Sequence, residues 1–129
     1  MSHWVLQRVK IRNINPQILY NVLNFLARKY GVDLKMNQEV TGWRHVRKAQ
    51  YVLTFKGSYG VGIGINITKD GIEVFGDDHG MPITIEQIKQ EILQHYISAC
   101  YVIALQKMGY KVSVKETESG EVVLEAVSW

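Results

Sequence analysis

The sequence predicts a single α+β domain, a two-layer sandwich in which two helices cover one face of a largely antiparallel sheet. Two segments repeat apolar residues at helical spacing between start and stop signals, and about seven segments alternate apolar with polar residues. The predicted order is β-α-β-β-β-β-α-β-β. This order suits two layers around one core, because each helix and each sheet must bury an apolar face. At 129 residues the chain has the length of one domain, residues 1–129.

The first strand is predicted at residues 5–11, where an apolar face alternates with a basic one. Successive strand residues point to opposite sides of a sheet. The apolar positions, which are expected to face the core, are Val5, Val9 and Ile11. The basic positions, which are expected to face solvent, are Arg8, Lys10 and Arg12.

The first helix has recognisable ends. Asn15 is suited to the N-cap, Pro16 to the first turn, and Gly31 to the left-handed residue that ends a helix. Apolar residues recur between them at helical spacing. An alternating second strand is predicted to follow at residues 32–36.

The middle of the chain is predicted to form strands joined by short connections. Residues 40–48 are interpreted as a loop or an irregular strand end, and residues 51–56 as a third strand. The fourth and fifth strands, residues 60–67 and 72–75, are joined at Asp70-Gly71. An Asp-Gly pair between alternating runs is typical of a tight hairpin.

The second helix is predicted to begin at Thr84, which forms a capping box with Gln87, and to stop at Gly109. Its second half, residues 96–105, is apolar nearly all round. That pattern predicts a helix that is covered on more than one side. The chain then closes with a predicted hairpin, strands 111–115 and 121–127 around Ser119-Gly120.

Three glycines alternate with apolar residues in the fourth strand. Gly60, Gly62 and Gly64 leave one strand face without side chains. Glycines inside a strand often mark a place where a ligand or another backbone comes close. Two readings follow: a bulky neighbour such as Tyr59 or Trp43 fills the gap, or a ligand or partner does. A phosphate-binding loop is not favoured, because such a loop leads into a helix and this segment leads into a hairpin.

Charge is divided unequally along the chain. Residues 1–56 sum to +8 and residues 57–129 to −5, a contrast that the net charge of +3 conceals. The basic half indicates an anionic partner. The alternative is that the basic half attracts the acidic half, either within one chain or in a neighbouring copy. If the apolar strand faces all point to the helices, the basic strand face and the glycine strip share the open side of the sheet.

The leading hypothesis is therefore a non-catalytic domain that binds an anionic ligand or nucleic acid on this open face. The proposed binding residues are Arg8, Lys10, Arg12, Trp43, Arg44, Arg47, Lys48, Gly60, Gly62 and Gly64. The plainer reading of the same bases is an ordinary solvated strand face. The alternative function is an assembly or interaction subunit, a homo-oligomer or a partner of another protein. In that case the glycine strip and residues 96–105 contact another chain.

Signals for catalysis and for metal binding are weak. The sequence contains no Cys pair, no His-x-x-x-His spacing, no Walker loop and no nucleophile elbow. The one compact group of potential metal ligands, Asp77-Asp78-His79, is interpreted as a polar turn before a helix. We expect no catalytic residues, no metal and no cofactor.

The start of the chain lacks the pattern of a signal peptide. The longest strongly apolar run, residues 96–105, is about half as long as a membrane span requires. These features predict a cytoplasmic protein with no membrane partner.

Several short motifs are spread over most of the chain: Met1-Ser2-His3-Trp4, Val40-Thr41-Gly42-Trp43, Gly62-Ile63-Gly64-Ile65-Asn66, Asp70-Gly71 and Gln94-His95-Tyr96. Through these motifs and their order, the chain resembles a domain family of unknown function that includes a conserved hypothetical plastid reading frame and cyanobacterial relatives. Asp78-His79-Gly80 departs from the family pattern. The family has no established activity, so the resemblance implies none.

Overall fold

The computed structural model describes residues 3–118 and 122–128. The predicted Ser119-Gly120 turn and the residues Met1 and Ser2 lie outside this part of the chain. The described elements are β1 (Trp4–Lys10), α1 (Pro16–Tyr30), β2 (Leu34–Gly42), β3 (His45–Lys56), β4 (Val61–Thr68), β5 (Gly71–Asp77), α2 (Ile85–Lys107), β6 (Tyr110–Glu116) and β7 (Val122–Ser128).

The fold is the predicted α+β sandwich with the predicted element order. β1 pairs with β5, β5 with β4, β4 with β3 and β3 with β2, all antiparallel. β6 and β7 pair with each other in a separate two-stranded sheet. Both helices lie on one face of the five-stranded sheet, because residues of α1 and α2 share one apolar cluster with β3, β4 and β5.

The predicted helix ends are confirmed. The Asn15 side chain accepts hydrogen bonds from the backbone of Gln17 and Ile18, and Gly31 ends α1 in the left-handed conformation. Thr84 and Gln87 form the capping box of α2. The start of α1 is also tied to α2, because the Tyr96 hydroxyl accepts a hydrogen bond from the backbone N–H of Asn15 at 2.8 Å.

The two faces of β1 are also as predicted. Val5, Val9 and Ile11 pack against the main core. Arg8, Lys10 and Arg12 are exposed.

The interpretation of residues 40–48 as a loop or an irregular strand end is wrong. β2 and β3 continue through this segment and form a long hairpin, with Trp43 and Arg44 as its two-residue turn between the paired Gly42 and His45. Arg44 adopts a left-handed backbone with φ 59°. Glycine, asparagine and aspartate usually occupy such positions, and their absence hid the turn.

The tip of the β2–β3 hairpin lies against the face of the sheet opposite the helices. Thr41 in β2 pairs with Val61 at the start of β4. A second, smaller apolar cluster forms on this face, and its members are Val40, Ala49, Val52 and Phe75, with Trp4 and Leu6 packed against them. The sheet is thus covered on both sides near this hairpin.

The glycine strip is buried beneath this second cluster. A Cβ atom on Gly62 would lie 2.7 Å from Cγ1 of Val52, and one on Gly64 would lie 2.6 Å from the Phe75 ring. A Cβ on Gly60 would collide with the backbone of Asp77. Of the two readings of the strip, the one in which neighbouring protein fills the gap is confirmed, and the one in which a ligand or partner fills it is wrong. The gap is filled by protein, although by Val52, Phe75 and Asp77 rather than by Tyr59 or Trp43.

Alanine substitutions at Gly64, Gly31 and Gly62 separate two destabilising effects, steric crowding and backbone strain. Gly64→Ala should lower the free energy of unfolding by about 1–3 kcal/mol, because the added methyl group overpacks the second cluster. Gly31→Ala should lower it by about 1–2 kcal/mol, because Gly31 has a left-handed backbone but open space around it. Gly62→Ala combines a crowded site with φ 90°, so its loss should be close to the sum, about 2–5 kcal/mol. Urea unfolding of the three variants measures the differences. A Gly62→Ala variant as stable as the wild type would contradict the assigned packing.

Candidate functional site

The end of the sheet where β1, β5 and the hairpin tip meet is organised around the buried carboxylate of Asp77. Its Oδ1 accepts hydrogen bonds from the backbone N–H of His3 at 2.9 Å and of His79 at 3.4 Å, and its Oδ2 accepts one from Trp43 at 3.2 Å. Burial alone would raise the pKa of Asp77, but the three hydrogen bonds and the nearby His79 outweigh it and lower that pKa below its ordinary value. The carboxylate therefore holds three separate segments together.

Asp78 makes a different set of contacts. Its Oδ1 lies 2.6 Å from Nδ1 of His3, and its Oδ2 accepts a hydrogen bond from the backbone N–H of Ile85 at 2.8 Å. Ile85 is the first residue of α2. A carboxylate at a helix N-terminus satisfies an otherwise unpaired donor and complements the helix dipole. Asp77 and Asp78 thus serve different partners.

A group of rings surrounds this anchor, and we call it the aromatic end: Trp4, Trp43, His45, Tyr59 and His79. The rings of Trp4 and His45 stack at 4.7 Å between centroids. Tyr59 contacts Trp43 edge to face at 5.4 Å and stacks on His79 at 5.8 Å. Trp43 keeps 52% of its surface exposed and Tyr59 40%. The aromatic end therefore presents flat apolar rings to solvent.

Cations lie beside these rings. The Arg44 guanidinium sits 5.6 Å from the centroid of the Trp43 ring at the hairpin tip. Further along the same face, Arg47 lies 4.6 Å from the Phe75 ring centroid. A guanidinium over a ring is attracted electrostatically by the quadrupole of the ring, whose face is partially negative.

Arg8 and Arg47 hold one carboxylate between them. Glu73 accepts a hydrogen bond from Arg47 at 2.9 Å on one oxygen and from Arg8 at 3.2 Å on the other. Glu73 is buried, while three-quarters of the Arg8 side chain is exposed. The two arginines carry one more positive charge than the Glu73 carboxylate neutralises. The Arg8 side chain reaches solvent.

The structure brings some of the predicted binding residues together and separates others. Trp43, Arg44 and Arg47 lie on the β2–β3 hairpin near the aromatic end, with Arg8 opposite them on β1. Lys48 is exposed further down β3, where it pairs across from Glu39.

Lys10 and Arg12 are exposed at the far end of β1. They border a groove along α2 that also contains Asn13. Gly60, Gly62 and Gly64 are buried, so the glycine backbone is not accessible to a ligand in the described fold.

Sequence reasoning missed Trp4, His79 and Glu73 as parts of this surface. No local signal joins them to the rest of this surface, because the contacts that place them there link residues at least 20 positions apart. The one usable signal was alternation: Trp4 shares its strand face with Leu6, Arg8 and Lys10.

α2 contacts α1, β1, β6 and β7, yet one face of its second half is left exposed. No residue of α2 beyond Tyr96 is fully buried in the described protein. Tyr101 keeps 60% and Ile97 45% of its surface exposed. One cavity of about 570 Å³ lies between this half of the helix and the end of β1, and another of about 610 Å³ lies between it and α1.

Within residues 3–118 and 122–128, no group of three or more His, Cys, Asp or Glu side chains is placed to hold a metal ion. In the same part of the chain, no helix is long and apolar enough to cross a membrane. Comparison with protein-family models, with curated proteins and with solved structures finds no match. The resemblance to the plastid and cyanobacterial family remains a prediction.

Replacement of Asp77 tests the anchor through its pH dependence. The ordinary pKa of this carboxyl group is 3.8, and its pKa in the folded protein is lower. Folding therefore favours the ionised form, so its stabilisation is complete above the unfolded value and is lost as the pH falls through the folded pKa. Asp77→Asn should unfold more easily at neutral pH, by about 1–3 kcal/mol, and its stability should fall less steeply in acid.

Urea unfolding between neutral pH and pH values below 3.8 measures this dependence. Asp70→Asn is the control, because Asp70 is an exposed carboxylate in a turn. If Asp77→Asn and the wild type lost stability in parallel on acidification, the role of Asp77 as an ionised anchor would be excluded.

Proposed function

We propose that this protein is a non-catalytic domain that binds single-stranded nucleic acid at the aromatic end of its sheet. The observation that carries the proposal is the exposed group of rings, with Trp43 and Tyr59 open to solvent and Arg44 placed over Trp43. This surface replaces the glycine strip of the original hypothesis, which is buried.

Exposed rings beside cations suit bases that are not paired. Each base has a flat face that can stack on Trp, Tyr or His, and a duplex hides those faces inside its own stack. Stacking of this kind tolerates any sequence, because every base has a π-face. The proposed ligand is therefore a single strand that is bound with little sequence preference.

The strand would continue from the rings toward cations on the same face. Trp4 and Arg8 point to the same side of β1 and lie four residues apart, which is about 13 Å along a strand. Arg47 stands opposite Arg8 across Glu73. A phosphate backbone leaving the rings would meet these two guanidinium groups.

Anchoring by Asp77 supports a preformed surface. The Trp43 contact with Asp77 uses the backbone N–H, so the hairpin tip is held in place independently of its side chain. A ring that is already fixed loses little conformational entropy when a base stacks on it. Because this contact is made by the backbone, the Trp43 side chain can be removed without breaking the hydrogen bond to Asp77.

Trp43→Ala should weaken binding of a labelled single-stranded oligonucleotide by about 1–3 kcal/mol, the contribution of one stacked base. Fluorescence anisotropy at low salt measures the dissociation constant, where charge attraction is screened least. Tyr20→Ala is the matched control, since Tyr20 is an exposed aromatic residue on α1 and should leave binding unchanged. A duplex of the same sequence should bind more weakly than the single strand. Absence of binding by the wild type at low salt would remove the proposal.

Arg44→Ala should act mainly through charge. Binding to many sequences should weaken alike, and the slope of log K against log salt should become shallower by about 0.7, since one phosphate contact is lost. Arg28→Ala is the control, because it removes an exposed positive side chain from the last turn of α1. Equal changes in both variants would show that net charge rather than the aromatic end controls binding.

A further inference from the structure

The exposed face of the second half of α2 repeats apolar residues at a spacing used for helix pairing. Ile97, Tyr101, Ala104 and Met108 follow each other at intervals of four, three and four residues, and all four are exposed. Alternating steps of three and four place side chains on one narrow seam, as at the a and d positions of a coiled coil. At about 1.5 Å per residue the seam is roughly 16 Å long.

Three residues of the seam, Ile97, Tyr101 and Ala104, lie on one wall of a groove, which we call the α2 groove. The opposite wall is the end of β1 and the residues that follow it, with Lys10, Arg12 and Asn13. A neighbouring cavity of about 550 Å³ shares Lys10 and Arg12 and adds Lys69. The groove is therefore apolar on its helix side and cationic on its strand side.

The cations at this wall are not paired with any carboxylate in the described part of the chain. No salt bridge within residues 3–118 and 122–128 involves Lys10, Arg12 or Lys69. Asp70 is the acid that lines the same cavity. The cationic wall thus keeps an excess of positive charge available for a partner.

We propose that the α2 groove docks an acidic amphipathic helix of another protein. The apolar stripe of that helix would pack on the seam, and its flanking carboxylates would meet Lys10, Arg12 and Lys69. The two requirements reinforce each other, because the seam selects a helix and the cationic wall selects its charge.

A second copy of this chain fits the groove less well. The stretch of chain that carries the seam, residues 96–108, has one charged residue, Lys107. If two copies paired through their seams, this stretch would bring the Lys107 cation toward Lys10 and Arg12 of the other copy. It has no carboxylate to offer them. Like charges brought together oppose association.

This docking site is separate from the aromatic end, so each can fail without the other. The seam lies on α2, whereas the rings lie at the other end of β1 and on the hairpin tip. Variants of one surface should leave the other unaffected.

A designed helical peptide with leucine at a and d and glutamate at e and g is the probe. Its binding to the full chain is measured by calorimetry, next to a peptide in which lysine replaces every glutamate. We expect the acidic peptide to bind and the basic one to bind at least about tenfold more weakly, the ratio produced by 1.4 kcal/mol. Equal binding of the two peptides, or no binding of the acidic one, would overturn the proposal.

Two pairs of variants locate the site. Arg12→Glu should weaken the acidic peptide at least about tenfold, whereas Arg28→Glu, the same charge change on exposed α1, should have little effect. Tyr101→Ala should also weaken it, and Tyr20→Ala should not. Circular dichroism confirms that each variant remains folded. Loss of affinity in both members of a pair, or in neither, would contradict the assignment to the α2 groove.

The same experiments identify other occupants. Sedimentation of the wild type should give the mass of one chain, 14.8 kDa. A dimer that Tyr101→Ala dissociates would place a second copy in the groove and overturn the proposal. Binding of a long-chain carboxylate as tight as that of the peptide would assign the groove to a small amphiphile instead. The oligonucleotide affinity of Tyr101→Ala should equal that of the wild type, and the peptide affinity of Trp43→Ala should do likewise.

Discussion

The ionised, buried carboxylate of Asp77 is the interaction on which the arrangement of this protein depends. Removal of a charge from water is expensive unless hydrogen bonds replace the lost solvation. Three backbone N–H groups do so here, and they come from the entrance to β1, the tip of the β2–β3 hairpin and the loop after β5. One carboxylate therefore fixes the positions of three segments that are distant in sequence. Four rings of the aromatic end lie on or next to those segments, and the fifth, Tyr59, contacts two of them.

The glycines of β4 make this arrangement sterically possible. A hairpin can lie against the second face of a sheet only where that face leaves room for it. Gly62 and Gly64 provide the room for Val52, Val40 and Phe75. The missing side chains on β4 are thus compensated by side chains from three other strands, β2, β3 and β5. The result is a second cluster, so that both faces of the sheet are buried in this region. The conformational entropy that glycine loses on folding is offset by this packing.

Local patterns predicted most of the fold. The caps at Asn15 and Thr84, the stop at Gly31 and the alternation of β1 all depend on neighbours within a few residues, so a single sequence contains the necessary information. The turn at Trp43-Arg44 was missed because its left-handed residue is an arginine. The neighbours of the glycine strip were assigned to the wrong side chains, because packing between β3, β4 and β5 depends on tertiary register. For the same reason only the hairpin part of the aromatic end was anticipated, and the contributions of Trp4 and His79 were not.

The separate sheet of β6 and β7 divides the molecule into two parts of unequal stability. An isolated two-stranded hairpin is marginally stable in water, and here the pair has no hydrogen-bonded strand beyond itself among the described residues. Its support comes from α2, to which it is joined in sequence. Local opening of this hairpin therefore requires less free energy than unfolding of the five-stranded sheet, and its amide hydrogens should exchange with solvent first. A molecule that binds to α2 only when the helix and the hairpin are packed together would shift this opening equilibrium toward the closed form. Binding of that molecule to α2 would then be measurable as slower amide exchange in the hairpin.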